Sequence, residues 1–377
     1  MKKKILLVFG TRPEAIKMAP LVKAFKDDND FITKVCVTAQ HRHMLDQVLD
    51  IFNIKPDFDL NLMKKNQTLS DLTSRVLQGM NEVFSIFKPD IVFVHGDTTT
   101  SMASSLAAFY EKIKVAHIEA GLRTNNIYDP WPEEGNRRIT SVLANYHFAP
   151  TQNSKENLLN ENINKDNIFV TGNTVVDALL FTSKKIESNK ELRKSIDFQL
   201  SNQYKVNRLK KLILVTGHRR ENFGQGFKNI SKALKAIAQK NPNVDIVYPV
   251  HLNPNVQKPV LQALKNISNI YLIEPVQYET FVYLMSQACF ILTDSGGIQE
   301  EAPSLGKPVL LMRNTTERPE AVLSGAVRLV GTEYKRIIKE SEILLNDNDE
   351  HAKMSFSKNP YGDGTACAKV VKFTKNL

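Results

Sequence analysis

The chain has 377 residues, a formal net charge of +10 and a sequence pI of about 9.3, with 42% apolar and 24% charged residues. This length predicts two or more domains with sizeable cores. A basic balance can indicate nucleic acid, an anionic membrane or an acidic ligand, but these lysines are dispersed and form no long tract interleaved with aromatics. We therefore expect no nucleic-acid partner.

The cysteines and the N-terminus indicate a cytoplasmic protein. Cys36, Cys289 and Cys367 give neither an even disulfide framework nor a metal-ligand spacing. The first two stand in apolar, strand-like runs, which suits reduced core residues in a reducing cytosol. The N-terminus imitates a signal peptide, but its apolar run ends at Gly10 and no cleavage site follows. No run approaches the length of a bilayer span, so no membrane partner is expected.

Short apolar strands alternate with amphipathic helices along the chain. The strands predicted in the first half are Lys4–Phe9, Val35–Ala39, Asp90–His95, Val115–Glu119, His147–Ala149 and Ile168–Thr171. Those predicted in the second half are Leu212–Thr216, Asp245–Pro249, Ile270–Ile273, Phe290–Thr293, Val309–Met312 and Val327–Val330. Runs that are apolar on both faces indicate parallel sheets covered by helices. Their alternation with helices predicts doubly wound α/β units.

A polar, lysine-rich helical stretch at 173–207 separates the two series of strands. We interpret it as a surface helix and inter-domain linker. The sequence therefore predicts two similar α/β domains, at 1–173 and 174–363, with a cleft between them. In open α/β sheets, ligands bind beyond the carboxyl ends of the strands, so the polar residues at those ends are the candidates for a site.

One predicted strand ends at two adjacent glycines. Residues 289–292 form the apolar run, and a helical pattern begins at Ile298. Such a turn aims free N–H groups at a ligand over the helix start, and glycine lets an anion approach without a Cβ in the way. We expect a diphosphate at Ser295–Gly297, with Glu300 or Glu301, in the first helical turn, binding ribose hydroxyls. The alternative is a plain turn whose glutamates complement the helix dipole.

Other strand ends also carry charged or polar side chains. These residues are Arg12, Lys17, Asp97, Glu119, His218 and His251. Each alone has a structural alternative, such as a solvated helix residue, an N-cap or a paired carboxylate. Their recurrence at so many strand ends predicts that they converge on one cleft. At 128–137, two prolines flank the only tryptophan and two glutamates follow, which indicates either a carboxylate-presenting loop or a rigid helix start.

The sequence indicates no cofactor and no metal. It has no Gly-x-Gly-x-x-Gly after the first strand, no P-loop lysine pattern and no Cys/His cluster. We therefore expect neither NAD nor zinc, and a phosphate held by helix N-termini and arginines.

Taken together, the motifs resemble the non-hydrolysing UDP-N-acetylglucosamine 2-epimerases. The matching segments are residues 9–20, 37–42, 94–98, 119–124, 132–134, 215–221, 294–303 and 359–364. The resemblance extends over essentially the whole chain. It implies the GT-B arrangement of two Rossmann-like domains, with a C-terminal helix at 364–377 packing back on the first. It also implies interconversion of UDP-N-acetylglucosamine and UDP-N-acetylmannosamine for envelope polysaccharides, without NAD.

The resemblance also assigns roles by motif position. Residues implied to hold UDP are Arg12, His218, Ser295, Gly296, Gly297, Glu301 and Arg318, with Val276 and Phe281 near the uracil. Residues implied in the sugar chemistry are Lys17, Asp97, Glu119 and Glu133, assisted by His218. In some relatives a second UDP-N-acetylglucosamine acts as an activator. The residues that match that site are Gln40, Arg219 and His251, with His43 at a variable position. A homodimer is also expected.

An elimination mechanism agrees with these roles. The proton on carbon 2 is poorly acidic and needs a positioned base. Expelling UDP from carbon 1 makes that proton removable, and helix-end N–H groups and arginines stabilise the departing diphosphate. Three alternatives remain open: a GT-B glycosyltransferase with an acceptor pocket, a hydrolysing epimerase that releases N-acetylmannosamine, and a non-catalytic UDP-sugar sensor.

Overall fold

A computed structural model describes residues 2–39, 42–62, 67–207 and 209–377, with the side chains of 42–44 outside the description. The chain divides into two compact units. The first comprises Met1–Ala178 and Tyr361–Leu377, and the second comprises Leu179–Pro360. Each unit contains one parallel β-sheet flanked in sequence by helices.

The described strands of each unit are parallel throughout. Those of the first unit are β1 (Lys3–Phe9), β2 (Phe31–Val37), β3 (Phe58–Asp59), β4 (Ile91–His95), β5 (Lys114–Ile118), β6 (Tyr146–Ala149) and β7 (Ile168–Val170), in the order β3-β2-β1-β4-β5-β6-β7. Those of the second are β8 (Lys211–Thr216), β9 (Val244–Pro249), β10 (Ile270–Ile273), β11 (Phe290–Thr293), β12 (Val309–Leu311) and β13 (Val327–Leu329), in the order β10-β9-β8-β11-β12-β13.

Helices connect the strands. Those of the first unit are α1 (Arg12–Lys26), α2 (Arg42–Ile51), α3 (Leu69–Phe87), α4 (Thr99–Tyr110), α5 (Glu133–Leu143) and α6 (Gln152–Asn160). The next, α7 (Thr174–Ser188), contains the division between the units. Those of the second unit are α8 (Lys190–Ser201), α9 (Gln225–Lys240), α10 (Pro254–Leu264), α11 (Tyr278–Gln287), α12 (Gly296–Glu301), α13 (Pro319–Leu323), α14 (Tyr334–Asn346) and α15 (Asn348–Ser355). The last, α16 (Ala366–Lys375), packs against α1. No helix in the described parts of the chain is long and apolar enough to cross a membrane.

The predicted α/β fold with two parallel sheets is confirmed. Every predicted strand is present, β10 and β11 with the predicted ends and the others with ends shifted by a few residues. The strand β3, with two residues, was missed because it is too short to show a pattern. The expected surface helix at 173–207 is wrong for its first part, since the first turns of α7 are buried. There Asp177 accepts backbone N–H groups from Ala366 (3.2 Å) and Cys367 (2.9 Å), so α7 anchors the start of α16.

Continuous apolar runs explain the central strands. In β1 the side chains of Ile5–Phe9 are fully buried, as expected for a strand covered on both faces. Each such side chain stabilises the fold by about 1.5–3 kcal/mol through its burial. Strand order reverses direction at β1 and β4 in the first unit, and at β8 and β11 in the second. These are the switch points at which open α/β sheets bind ligands, so the loops after these four strands are the candidates.

Three buried histidines lie side by side in the first sheet. His117 on β5 pairs in register with His147 on β6, and His95 ends β4. Burial lowers the pKa of His117 to about 3 and that of His95 and His147 to about 4. His117 Nε2 lies 2.8 Å from the carbonyl oxygen of Gly96. These imidazoles are therefore neutral in the folded protein at neutral pH.

This burial predicts how stability depends on pH. A histidine with a depressed folded pKa contributes its full stabilisation above its unfolded pKa of about 6.5 and loses it as the pH falls. Each contributes a slope of about 1.4 kcal/mol per pH unit while only the unfolded state is protonated. We expect His117→Gln to reduce the pH slope of the unfolding free energy of the first unit by about this amount between about pH 4 and pH 6. Chemical denaturation at a series of pH values measures the slope, and an unchanged slope would contradict the prediction.

Candidate functional site

A buried carboxylate fixes the loop after β1. Thr11 caps α1, and Glu14 accepts the backbone N–H groups of Gly10 (3.0 Å) and Thr11 (2.8 Å). It also accepts the hydroxyls of Thr98 (2.6 Å) and Ser101 (3.1 Å) at the start of α4. Burial raises the pKa of Glu14, and these hydrogen bonds oppose the rise. The loops after β1 and β4 are thereby joined, and Arg12, half-buried, begins α1 beside them.

Lys17 and Glu119 form an ion pair at the same edge of the sheet. Their side chains are 13% and 8% exposed. Asn173 Nδ2 donates to Glu119 Oε2 at 2.7 Å, and His95 Nε2 lies 3.9 Å from that oxygen. Glu119 has a φ of +63°, in the left-handed region that an L-residue with a long side chain rarely adopts. The carboxylate after β5 is therefore held both by its backbone and by two donors.

Asp97, after β4, is held by residues of α5. Arg137 Nη2 lies 2.5 Å from Asp97 Oδ2, and Arg137 Nη1 lies 3.1 Å from Glu134. Asn136 Nδ2 donates to the main-chain oxygen of Asp97 at 2.9 Å. Glu133 is the first residue of α5, and its buried Oε2 has no hydrogen-bond partner among the described residues. A carboxylate oxygen without a donor is suited to accept a proton.

Asp97 and Glu119 also lie on neighbouring loops. A Cβ built on Gly96, the residue before Asp97, would lie 3.5 Å from Glu119 Oε1. Lys17, Asp97 and Glu119 therefore gather at the switch point of the first unit, as the carboxyl ends of adjacent parallel strands require.

The corresponding anchor of the second unit is Asp294, which follows β11 and is fully buried. Its carboxylate accepts the backbone N–H of His218 (3.0 Å), the backbone N–H of Arg219 (2.9 Å) and Asn222 Nδ2 (3.1 Å). The His218 ring stacks on that of His251, with 5.5 Å between the ring centroids. Burial lowers the pKa of His218, and Asp294 opposes that shift. The loop after β8 is therefore fastened to the end of β11.

The glycine turn differs in detail from the prediction. The helix α12 begins at Gly296 and not at Ile298, so Glu300 and Glu301 lie beyond its first turn. Glu300 is fully buried and accepts a hydrogen bond from Arg318 Nε at 2.6 Å, so it holds that arginine in place. Glu301 accepts the hydroxyl of Tyr278 at 3.1 Å.

Arg318 lies directly against this turn. Its Nη1 donates to Glu317 at 2.6 Å, and a Cβ on Gly296 would lie 2.5 Å from the same nitrogen. A Cβ on Gly297 would meet only Glu301 and Ser295 side-chain atoms, at 3.8 Å and 4.0 Å. Glycine at 296 therefore admits the guanidinium, while the backbone at 297 is open on the side where a Cβ would project.

The remaining predicted residues are placed as follows. Val276 follows β10 and Phe281 lies in α11, both half-buried. Arg219 lies 3.8 Å from Glu317, and His251 is exposed after β9. Gln40 lies outside the described residues. His43 belongs to α2, but its side chain also lies outside the description.

Sequence reasoning missed several residues that hold these groups in place: Glu14, His95, Arg137, Asn173 and Asp294. Three of them, Glu14, His95 and Asp294, stand in segments that were recognised, each at a buried strand end or beside one. For Glu14 and Asp294 a carboxylate at such a position was the available signal, because a loop there needs acceptors for its backbone N–H groups. Arg137 and Asn173 act on partners that are distant in sequence.

Comparison with known proteins identifies the family. A sequence model of the family described as UDP-N-acetylglucosamine 2-epimerase matches residues 23–375. The UDP-N-acetylglucosamine 2-epimerase of Campylobacter jejuni is 63% identical over 371 residues, which cover 98% of this chain and 97% of that protein. The protein of the same name from Escherichia coli (strain K12) is 57% identical over 373 residues, covering 99% and 98%. A crystal structure of UDP-GlcNAc 2-epimerase from Neisseria meningitidis, bound to UDP-GlcNAc, matches with a TM-score of 0.91 and 53% identity over 99% of this chain and 100% of that one. The chain therefore belongs to the UDP-N-acetylglucosamine 2-epimerase family.

Proposed function

We propose that this protein interconverts UDP-N-acetylglucosamine and UDP-N-acetylmannosamine, without hydrolysis, by elimination and re-addition of UDP. The observation that carries the proposal is the set of carboxylates at the first switch point. Lys17 and Asn173 hold Glu119, Arg137 holds Asp97, and Glu133 has an oxygen without a donor. Because the chain belongs to a family of 2-epimerases, we assign these carboxylates to proton transfer at carbon 2 of the sugar.

The residues of the second unit bind the nucleotide in this proposal. Backbone N–H groups at Ser295–Gly297 and the guanidinium of Arg318 receive the diphosphate, as anions favour such donors. Glu301 binds the ribose, and Val276 and Phe281 contact the uracil. Three hydrogen bonds support this assignment: Glu300 and Glu317 fix the plane of Arg318, and Tyr278 orients Glu301. His218 belongs to the same UDP-binding set, and Arg12, a residue of the first unit, is assigned to UDP by its motif position.

The residues of the first unit act on the sugar. A carboxylate removes the proton from carbon 2, the electron pair of that bond forms the double bond to carbon 1, and the bond from carbon 1 to the UDP oxygen breaks. Protonation of carbon 2 from the opposite face and re-addition of UDP at carbon 1 complete the inversion. Asp97, Glu119 and Glu133 are the carboxylates that we assign to this proton handling, and Glu133 has a buried oxygen that accepts no hydrogen bond among the described residues. The proposed product serves envelope polysaccharide synthesis.

Regulation by a second UDP-N-acetylglucosamine is part of the proposal. Arg219 and His251 are the described residues that match the activator site, and the His218–His251 ring contact supports their role. An activator that touches His251 would thereby act on a residue of the UDP-binding set.

We also propose a homodimer. Side chains of α4 and α5, which pack on each other, leave large apolar groups exposed: Phe109 (56%), Tyr110 (65%), Ile139 (46%) and Val142 (79%). Soluble monomers rarely expose extended apolar patches, so a second copy is the occupant that we assign to this surface.

The first test is isotope uptake in heavy water with UDP-N-acetylglucosamine as the only added substrate. We expect partial conversion to the manno epimer with deuterium incorporated at carbon 2, and NMR measures both.

The carboxylate variants test the same mechanism. Asp97→Asn and Glu119→Gln should lower turnover about a hundredfold to ten-thousandfold and keep the thermal stabilisation by UDP. Glu301→Gln should instead weaken UDP binding. Retention of the original hydrogen would exclude elimination, and absence of epimer would favour a glycosyltransferase or a sensor.

The glycine turn gives a matched pair of variants. We expect Gly296→Ala to lower the melting temperature, because the new Cβ displaces Arg318 at a cost of about 1–3 kcal/mol. Gly297→Ala should leave the melting temperature of the ligand-free protein nearly unchanged and reduce the stabilisation by UDP. Thermal denaturation with and without UDP measures both effects. Full stabilisation by UDP in Gly297→Ala would show that the diphosphate lies elsewhere.

A single charged substitution on the exposed apolar side chains of α4 and α5 tests whether they form a dimer interface. Val142→Glu should convert the homodimer to a monomer at micromolar concentration, because it places an unpaired charge in an apolar interface. Phe356→Glu, at a site of the second unit that is even more exposed (88%), is the control and should remain dimeric. Light scattering after gel filtration reports the mass. A parent protein that is monomeric would contradict the proposal.

A further inference from the structure

Arg137 joins two carboxylates at the edge of the first sheet. Its guanidinium lies 2.5 Å from Asp97 and 3.1 Å from Glu134, and its side chain is 14% exposed. Burial alone would lower the pKa of Arg137, but the two carboxylates raise it above its usual value. The group is thus a permanent cation whose planar fork has defined partners.

Two contacts that hold Asp97 come from one helix, α5. Asn136 Nδ2 binds the main-chain oxygen of Asp97 at 2.9 Å, and Arg137 binds its carboxylate. The same helix, α5, begins with Glu133. The placement of Asp97 relative to Glu133 therefore depends on these two contacts, which span about 40 residues of sequence.

The neighbouring arginine offers a natural comparison. Arg138 also contacts Glu134, at 3.3 Å, and approaches Glu161 at 3.7 Å, but in the described part of the chain it forms no ion pair with Asp97. Its side chain is 39% exposed, so solvent screens its ion pairs and their contribution is small. The two residues share one acceptor and differ in their contact with Asp97.

We propose that Arg137 is a positioning residue for the epimerisation. It fixes the rotamer of Asp97, because its guanidinium donates to that carboxylate from a rigid planar fork. Glu134 in turn holds the guanidinium, and its carboxylate also accepts the backbone N–H of Thr124 at 3.2 Å. This inference rests on the proposed function and adds a residue that acts through Asp97.

The test is a double-mutant cycle on turnover. Arg137→Met should lower kcat about a hundredfold, since small displacements of a catalytic group have effects of that size. The stabilisation by UDP should stay within about twofold in apparent Kd, because the nucleotide is bound elsewhere. In the Asp97→Asn background, Arg137→Met should lower kcat by no more than about twofold, because a residue that acts through Asp97 has nothing left to position. Arg138→Met is the control: in the parent protein it should leave kcat near the parental value, and in the Asp97→Asn background it should leave kcat near that of Asp97→Asn alone.

Several results would overturn the inference. Multiplicative losses in the cycle would mean that Arg137 acts independently of Asp97. An unchanged kcat in Arg137→Met would mean that Arg137 does not position Asp97 for the reaction. A loss of UDP stabilisation as large as the loss in kcat would mean that Arg137 has a merely structural role. If Arg137→Met does not fold, Arg137→Lys is carried through the same cycle, since it keeps the charge and loses the fork. A parent protein without turnover would instead overturn the proposed function, and the inference with it.

Discussion

The functional loops of both units depend on a buried carboxylate that is saturated with hydrogen-bond donors. Burying such a charge is costly unless every lone pair finds a partner. Glu14 meets this condition with two backbone N–H groups and two hydroxyls, and Asp294 meets it with two backbone N–H groups and a side-chain amide. Because these hydrogen bonds can all form only in one arrangement of donors and acceptor, each carboxylate fixes the position of the loop that surrounds it. Without it, the loop's own N–H groups would need water or another acceptor.

The two units share this architecture and differ in the groups that it presents. Each has its anchor beside the strand pair where the order of the sheet reverses, β1 with β4 and β8 with β11. In the first unit the anchored edge presents carboxylates with cationic partners. In the second unit it presents glycine backbone and the guanidinium of Arg318, which its glutamates hold in one plane. Carboxylates suit proton transfer, and backbone N–H groups with arginine suit a diphosphate, which is why we propose a division of labour between chemistry and binding.

Much of this could be predicted from sequence because the strong signals are local. An apolar run such as Ile5–Phe9 predicts a buried strand without any other information. The candidate site residues were predicted because their motifs match those of a known family. The start of α12 could not be predicted in this way, because so short a helix leaves no periodic signal. The burial of α7 was missed because its apolar first turns, with Val175, Val176 and Leu179, precede a lysine-rich stretch and were grouped with it. The pairs Lys17–Glu119 and Arg137–Asp97 join residues 102 and 40 positions apart. Only the topology of the sheet decides that such residues meet.

Glu119 shows how the backbone itself can indicate a functional position. Its left-handed conformation costs an L-residue roughly 1–2 kcal/mol, and glycine or asparagine would adopt it more readily. The neighbouring Gly121 also has a positive φ, of +90°, and a Cβ there would overlap the main-chain oxygen of Ser154. Glu119 carries a long side chain at a positive φ, and from this backbone conformation the side chain reaches Lys17 and Asn173. Strain that neighbouring contacts hold in place is typical of active sites. The backbone thus supports the placement of the sugar chemistry at Glu119 on grounds that are independent of any relative.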